Sequence, residues 1–116
     1  MTCIPEPVDI VRHSRHKIDI TLMVTEDLPF FAGHFPGQPV LPGVIMLDWV
    51  ICLAQQHLGI NIAFDNLQAI KFKQVVRPPQ AIQLHLEYRP DTGKLLYRID
   101  SAIAEHSSGK ISTASA

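Results

Sequence analysis

The stretch FFAGHFPGQPVLPGVIMLDWV, residues 30–50, decides the fold of this chain. It contains three prolines and three glycines, with His34 among them, and it runs directly into an apolar segment that holds one carboxylate. Proline reduces the freedom of the unfolded chain, so a loop of this composition holds a side chain in place at low entropic cost. No further proline or glycine occurs between Gly43 and Gly59. The stretch therefore predicts a stiff loop followed by a helix that begins near Gly43.

The segment after Gly43 has the spacing of a buried helix. The apolar residues that recur at intervals of three and four are Val44, Leu47, Ile51, Ala54 and Leu58. This is the stripe that an α-helix turns toward a core. Most other positions of the segment are apolar as well, so we expect the helix to be wrapped by other structure. Gly59 is a natural C-terminal stop, and His57 lies in the last turn, where a cation is tolerated.

Alternating apolar and polar residues on both sides of this helix predict β-strands. The alternating runs are residues 16–24 before the loop and residues 67–76, 80–88, 94–105 and 109–115 after the helix. Proline, aspartate and glycine place turns at residues 77–80, 89–94 and 106–110. The predicted fold class is α+β, with a curved antiparallel sheet wrapped around one long helix. A single domain is expected over residues 1–116, with residues 1–15 irregular because Pro5 and Pro7 favour turns or extended chain.

Composition excludes several classes of protein. The net charge of −1 gives no electrostatic reason to expect nucleic acid or a membrane surface as the main partner. The apolar runs are too short to span a bilayer, and the N-terminus lacks the basic start and apolar core of a secretory signal. Cys3 and Cys52 lack metal-ligand spacing, so we expect no disulfide, no metal and a reducing cytoplasm. No cofactor is expected.

The loop and the helix together hold the parts of a catalytic site. His34 is a ready general base near neutral pH. Asp48 follows Gly43 by five residues, near a helix start where free backbone N–H groups and the helix dipole favour negative charge. A base, an acid and N–H donors are the groups needed to remove a proton next to a carbonyl.

Each of these features also has a simpler interpretation. A lone histidine in a Pro/Gly loop is more often structural, Asp48 alone fits a first-turn acid favoured by the helix dipole, and the loop alone fits an ordinary connector. The remaining histidines show no ligand spacing and do not predict a zinc site; they are His13, His16, His57, His85 and His106. From spacing alone, the prediction is an α+β domain with a possible His/Asp site.

The run PFFAGHFPGQPVLPGVIMLD, residues 29–48, resembles the active-site signature of the 3-hydroxyacyl-[acyl-carrier-protein] dehydratases, the hotdog-fold enzymes of type II fatty acid synthesis. AIKFKQVVRPPQ, residues 69–80, is similar to the strand and turn that follow the helix in that family. The resemblance implies that His34 is the catalytic histidine, that Asp48 is the second catalytic residue and that the Gly43 N–H polarises the thioester carbonyl. It also implies a substrate-binding set consisting of Phe35, Pro42, Val44 and Trp49.

The resemblance further implies a homodimer in which the histidine and the acid of one site come from different subunits. Its substrate would be a 3-hydroxyacyl chain on an acyl carrier protein, converted to the trans-2-enoyl thioester. Lys71, Lys73 and Arg77 are the predicted contacts for the acidic carrier, and a solvated strand face is the alternative interpretation of these cations.

Three departures from the family pattern suggest an accessory enzyme, similar to the short hotdog proteins of aryl polyene or related polyketide pathways. The N-terminal segment differs, Cys52 stands where the family often has Gln, and Trp49 stands where it usually has Ala. Two alternatives to an active dehydratase remain. The first is a non-catalytic hotdog subunit or acyl-thioester binding module that partners an active homologue. The second is a hotdog thioesterase. Thioesterases of this fold lack the GHFPG…PGV pattern as a rule, and retention of both His34 and Asp48 favours the dehydratase.

Overall fold

The computed structural model describes residues 4–28, 40–60 and 62–113, with the side chains of residues 62–66 outside this description. The elements in chain order are strand β1 (Asp9–Ser14), strand β2 (Lys17–Val24), helix α1 (Gly43–Leu58), strand β3 (Ile62–Phe72), strand β4 (Gln80–Arg89), strand β5 (Lys94–Asp100) and strand β6 (Glu105–Thr113). They agree with the predicted α+β class, since one helix accompanies a set of strands.

The six strands form a single sheet in the order β1-β2-β4-β5-β6-β3, and every neighbouring pair is antiparallel. The chain therefore leaves the sheet after β2, forms α1, and returns at the far edge as β3. Strands β4, β5 and β6 then fill the space between β2 and β3. This order places β1 and β3 at the two edges.

The two faces of the sheet differ because successive side chains alternate along each strand. On the inner face, cross-strand partners are apolar; they include Ile18 with Leu86, Ile20 with Leu84, and Leu95 with Ile111. All of these side chains are buried in one core together with residues of α1. Burying an aliphatic side chain of this size contributes about 1.5–3 kcal/mol, so this core carries most of the stability of the fold.

Both ends of α1 agree with the prediction. The helix begins at Gly43, after an extended Pro42 whose carbonyl oxygen accepts from the N–H groups of Ile45 and Met46. It ends at Gly59, which has a left-handed φ of 66° and donates its N–H to the carbonyl oxygen of Gln55. A left-handed backbone favours glycine because it carries no Cβ. At the same end, the Arg12 guanidinium donates to the carbonyl oxygen of His57.

Most of the helix surface is buried, as predicted, but one face is not. The buried residues are Met46, Leu47, Trp49, Val50, Ile51, Leu53 and Ala54. Val44 was predicted to belong to the buried stripe, and this is wrong, because its side chain is 69% exposed. Val44, Asp48 and Cys52 follow one another at intervals of four and share a face. Asp48 and Cys52 are half-buried, so this face is only partly covered by the chain itself.

Two further predictions are corrected. Residues 9–14 form strand β1 rather than irregular chain, and they escaped detection because all six are exposed and the position opposite Ile18 is Arg12. The turn predicted at residues 106–110 lies inside β6, and the turn lies at residues 101–104 instead, where the Ser101 N–H donates to the carbonyl oxygen of Ala104. Gly109 suggested a turn but serves close packing, because a Cβ there would lie 2.4 Å from the Ile70 side chain.

Candidate active site

The polar groups at the start of α1 are backbone N–H donors, and no side chain caps them. The first N–H groups of a helix have no partner within the helix, and Pro42 caps this helix without a side-chain hydrogen bond. Gly43 therefore offers its N–H at the positive end of the helix dipole. The Gly43 backbone lies against the ring of Phe72, because a Cβ built on Gly43 would be 2.7 Å from the ring. Only glycine fits at this position without displacing the ring.

A cavity of about 310 Å³ opens beside Gly43. It is lined mainly by apolar side chains of the helix start and of the chain after β3: Leu41, Gly43, Val44, Met46, Phe72, Lys73, Gln74 and Val75. The two segments are held together by an antiparallel bridge, in which the Leu41 N–H donates to the carbonyl oxygen of Val76 at 2.8 Å. The volume of this cavity lies at the small end of the range for ligand pockets.

Asp48 lies in the second turn of α1, not the first. Since the helix begins at Gly43, its first turn contains no acidic residue, and the interpretation of Asp48 as a first-turn acid is wrong. The Asp48 carboxylate faces Cys52 one turn later, with 3.9 Å between the Cys52 Sγ and the Asp48 Oδ1. The helix dipole acts within the first turn, so it does not explain an acid at this position.

Gly43 and Asp48 point in different directions from the same helix. A helix advances about 100° per residue, so residues five apart lie roughly 140° apart around its axis. The Gly43 backbone faces Phe72 and the cavity, and Asp48 lies on the partly open face with Val44, whose side chain also lines that cavity.

The remaining predicted site residues fall in different surroundings. His34 and Phe35 lie outside the described residues. Pro42 is exposed at the helix start, Val44 lines the cavity, and Trp49 is fully buried in the core. Their predicted contacts with substrate stay predictions.

The predicted carrier-protein contacts are all exposed, but they are not equivalent. Lys71 belongs to β3, Lys73 follows the end of that strand, and Arg77 lies beyond the bridge at Val76. Lys73 pairs with the carboxylate of Glu105 on β6. The Lys73 ammonium group is therefore already paired with a carboxylate of its own chain.

A polar cluster on the outer face of the sheet was not predicted from sequence. Asp19 of β2 accepts from the ring nitrogens of two histidines, His13 at 2.7 Å and His85 at 2.9 Å. The other ring nitrogen of His85 lies 3.1 Å from an Asp100 oxygen. Two carboxylates flank the His85 ring, and only the doubly protonated ring donates to both. We call these four residues, His13, Asp19, His85 and Asp100, the outer-face ladder.

The outer-face ladder continues across the sheet through alternating charges. Arg98 lies 3.3 Å from Asp100 and 3.9 Å from Glu105, and Glu105 pairs with Lys73. Burial raises the pKa of Asp19, but hydrogen bonds from His13 and His85 and their charges outweigh this, so the pKa of Asp19 is lowered. A cavity of about 590 Å³ lies beside the first half of the ladder.

The ladder does not form a metal centre. Among residues 4–28, 40–60 and 62–113, no group of three or more His, Cys, Asp and Glu side chains is arranged to hold a metal ion. The signal that predicts the ladder is the strand register, which brings Asp19 opposite His85 although 66 residues separate them. That register is not readable from spacing along the chain.

Comparison with known proteins agrees with this architecture. A structure titled "The Dehydratase Heterocomplex ApeI:P from Xenorhabdus doucetiae" aligns with a TM-score of 0.86 and 30% sequence identity, over 96% of this chain and 98% of that chain. The 3-hydroxyacyl-[acyl-carrier-protein] dehydratase FabZ of Levilactobacillus brevis is 33% identical over 75% of this chain and 68% of its own length. The FabZ of Chloroflexus aggregans is 35% identical over 56% of this chain, and the match spans half of its length.

The sheet order, the single helix and the agreement with the heterocomplex structure define a hotdog-fold protein, as predicted. A family model described as "ApeI-like: ApeI dehydratase" matches residues 10–110. The chain belongs to the ApeI-like dehydratase family. In the part of the chain that the structure describes, no helix is long and apolar enough to cross a membrane.

Proposed function

We propose that this protein is a dehydratase of 3-hydroxyacyl thioesters carried on acyl carrier protein, acting in fatty acid or aryl polyene and polyketide-type synthesis. The observation that carries the proposal is the placement of Gly43 and Asp48 on α1 in a member of this family. Gly43 offers a backbone N–H beside an apolar cavity, and Asp48 is a carboxylate in the second turn that the fold leaves half-buried.

The proposed reaction removes water across C2 and C3 of the substrate. His34 takes the C2 proton, and the electrons of that C–H bond move toward the thioester carbonyl. The Gly43 N–H, at the positive end of the helix, stabilises the developing negative charge on the carbonyl oxygen. Asp48 binds the C3 hydroxyl and, directly or through water, passes to it the proton that His34 removed from C2. The C3–O bond then breaks, water leaves, and a trans-2-enoyl thioester remains.

The helix geometry also favours a site completed by a second subunit. Asp48 and Cys52 lie on a face of α1 that the chain covers only in part. The partly open face with Val44, Asp48 and Cys52 is then where a second hotdog subunit packs. The proposed assembly is a homodimer in the cytoplasm, with the carrier protein docking near Lys71, Lys73 and Arg77.

The proposal is tested by incubating the purified protein with 3-hydroxyacyl carrier protein and measuring the loss of one water by mass spectrometry. We expect conversion by the wild type and loss of conversion in His34→Ala with an unchanged thermal transition. His13→Ala, which removes a histidine of the outer-face ladder, is the matched control and retains conversion. An inactive wild-type protein that is a verified dimer contradicts the proposal.

A second candidate function is a subunit that acts only with a different hotdog partner. It is favoured by the similarity to the dehydratase heterocomplex ApeI:P from Xenorhabdus doucetiae. In that case the wild type alone is inactive, and conversion appears when a homologous hotdog protein is added. Analytical ultracentrifugation of the chain with and without that protein separates the two functions.

A further inference from the structure

Phe72 is an exposed aromatic residue that touches the proposed carbonyl-binding group. Its side chain is 56% exposed although it ends a sheet strand, and its ring lies against the Gly43 backbone. Ring atoms lie 2.7, 2.8 and 3.1 Å from where a Gly43 Cβ would be. The ring therefore occupies the space immediately beside the first N–H of α1.

The position of Phe72 is fixed by hydrogen bonds of the residues that follow it. The N–H groups of Lys73 and Gln74 both lie within hydrogen-bond distance of the carbonyl oxygen of His106, at 2.8 and 3.4 Å. The His106 ring donates from Nδ1 to the Gln74 carbonyl oxygen at 3.1 Å and faces the Ser101 hydroxyl with its other nitrogen. His106 is fully buried. The ring of Phe72 is thus presented by an anchored strand end.

The same ring forms one wall of the cavity at the helix start. Gly43 and Phe72 both line this cavity of about 310 Å³, with Val44 and Val75 on its apolar rim. A carbonyl oxygen that accepts from the Gly43 N–H lies about 2.9 Å from that nitrogen. A substrate bound in this way would have its first acyl carbons in the cavity whose wall the Phe72 ring forms.

We propose that Phe72 is a specificity-determining residue, whose ring admits 3-hydroxyacyl thioesters that are unbranched at C2 and excludes those with a methyl group at C2. This inference rests on the proposed dehydratase function. The cause is steric, because the ring forms a wall of the cavity beside Gly43 and already leaves no room there for a single carbon on the glycine itself. One methyl group in such a pocket changes the specificity constant by roughly 10- to 200-fold.

The experiment compares two carrier-bound substrates, a 3-hydroxyacyl chain and its 2-methyl derivative in each diastereomer, with loss of water measured by mass spectrometry. The wild type is expected to favour the unbranched substrate by roughly 10- to 200-fold in kcat/KM. Phe72→Ala is expected to reduce this preference at least tenfold by accepting the branched substrate. Phe72→Leu is expected to give an intermediate preference, and it carries the test if Phe72→Ala does not fold.

Leu67→Ala is the matched control, because Leu67 is an exposed apolar residue of the same strand that does not line the cavity. It is expected to keep the wild-type preference. If wild type and Phe72→Ala both convert the unbranched substrate with the same preference, the role of Phe72 is overturned while the dehydratase function stands. If the wild type converts neither substrate, the proposed function fails and this inference fails with it.

Discussion

The start of α1 and the outer-face ladder are two regions built from opposite chemistry. At the helix start, apolar side chains surround a glycine whose backbone N–H is left available. In the ladder, His13, Asp19, His85 and Asp100 satisfy one another through direct hydrogen bonds. Charged groups that are already paired have little left to offer a ligand. The comparison teaches that the cavity with few polar groups is the better candidate for chemistry than the cluster with many.

The largest expected effect is on kcat, and it is tested by replacing one aspartate in each region with asparagine. Asp48→Asn is expected to lower kcat by about 10²–10⁴-fold, because an amide does not relay a proton. Asp19→Asn removes a carboxylate from the ladder instead, and it is expected to leave kcat within about twofold. Steady-state dehydration assays measure both. Comparable losses of kcat in the two variants would contradict the assignment of function to the helix start.

The next effect tests the contact between Gly43 and Phe72. Gly43→Ala places a Cβ 2.7 Å from the ring, and such overpacking costs about 1–3 kcal/mol in the free energy of unfolding. The double variant Gly43→Ala with Phe72→Ala is expected to recover most of this loss, since the ring is gone. Urea unfolding of the four proteins completes a double-mutant cycle. A cycle with no coupling would show that the two residues do not meet.

A smaller effect is expected from breaking the ladder at its centre. His85→Ala leaves Asp19 and Asp100 without the ring that lies between them, and the side chains are partly exposed to solvent. We expect a loss of about 1 kcal/mol, discounted from the 1.5–3 kcal/mol of a charged hydrogen bond because of this exposure. Dehydration per folded molecule should not change. A fall in kcat without a fall in stability would show that the outer-face ladder takes part in the function.

The smallest effect is a pH dependence of stability at Asp19. Its pKa in the folded protein lies below the ordinary value, so its contribution is fully present above the unfolded pKa of about 4 and is lost as pH falls through the folded value. The difference in unfolding free energy between wild type and Asp19→Asn is therefore expected to shrink below about pH 4. Urea titrations at several pH values measure this difference. A difference that grows on acidification would contradict the sign.

The helix and its glycine ends were predictable because their signals are local. Gly43 and Gly59 bracket an uninterrupted apolar segment, and both mark the observed ends of α1. The alternation of buried and more exposed residues along β2 and along β4 is also a local signal. Gly43 and Asp48 were assigned as donor and acid through the family resemblance, and these roles stay predictions; the turn of α1 that holds Asp48 was not predicted.

The remaining features depend on contacts between distant residues. Strand β1 was missed because Arg12, at an inward position, breaks the apolar alternation in order to reach the end of the helix. Gly109 suggested a turn, since nothing in the sequence reveals that Ile70 and Tyr97 fill the space beside it. Exposure of Val44 depends on which side of α1 the sheet covers, and composition does not determine that side.

The hydrogen bond between Arg12 and the carbonyl oxygen of His57 has a consequence for the order of folding. These residues are 45 positions apart, and the carbonyl becomes a fixed acceptor only after the last turn of α1 has formed. Strand β1 pairs with β2 in a local hairpin that does not need the helix, although all six of its residues are exposed. Bringing distant residues together costs loop entropy that early contacts must first repay. The contact between β1 and the helix end therefore closes after α1 has formed, whereas the pairing of β1 with β2 is local and does not wait for it.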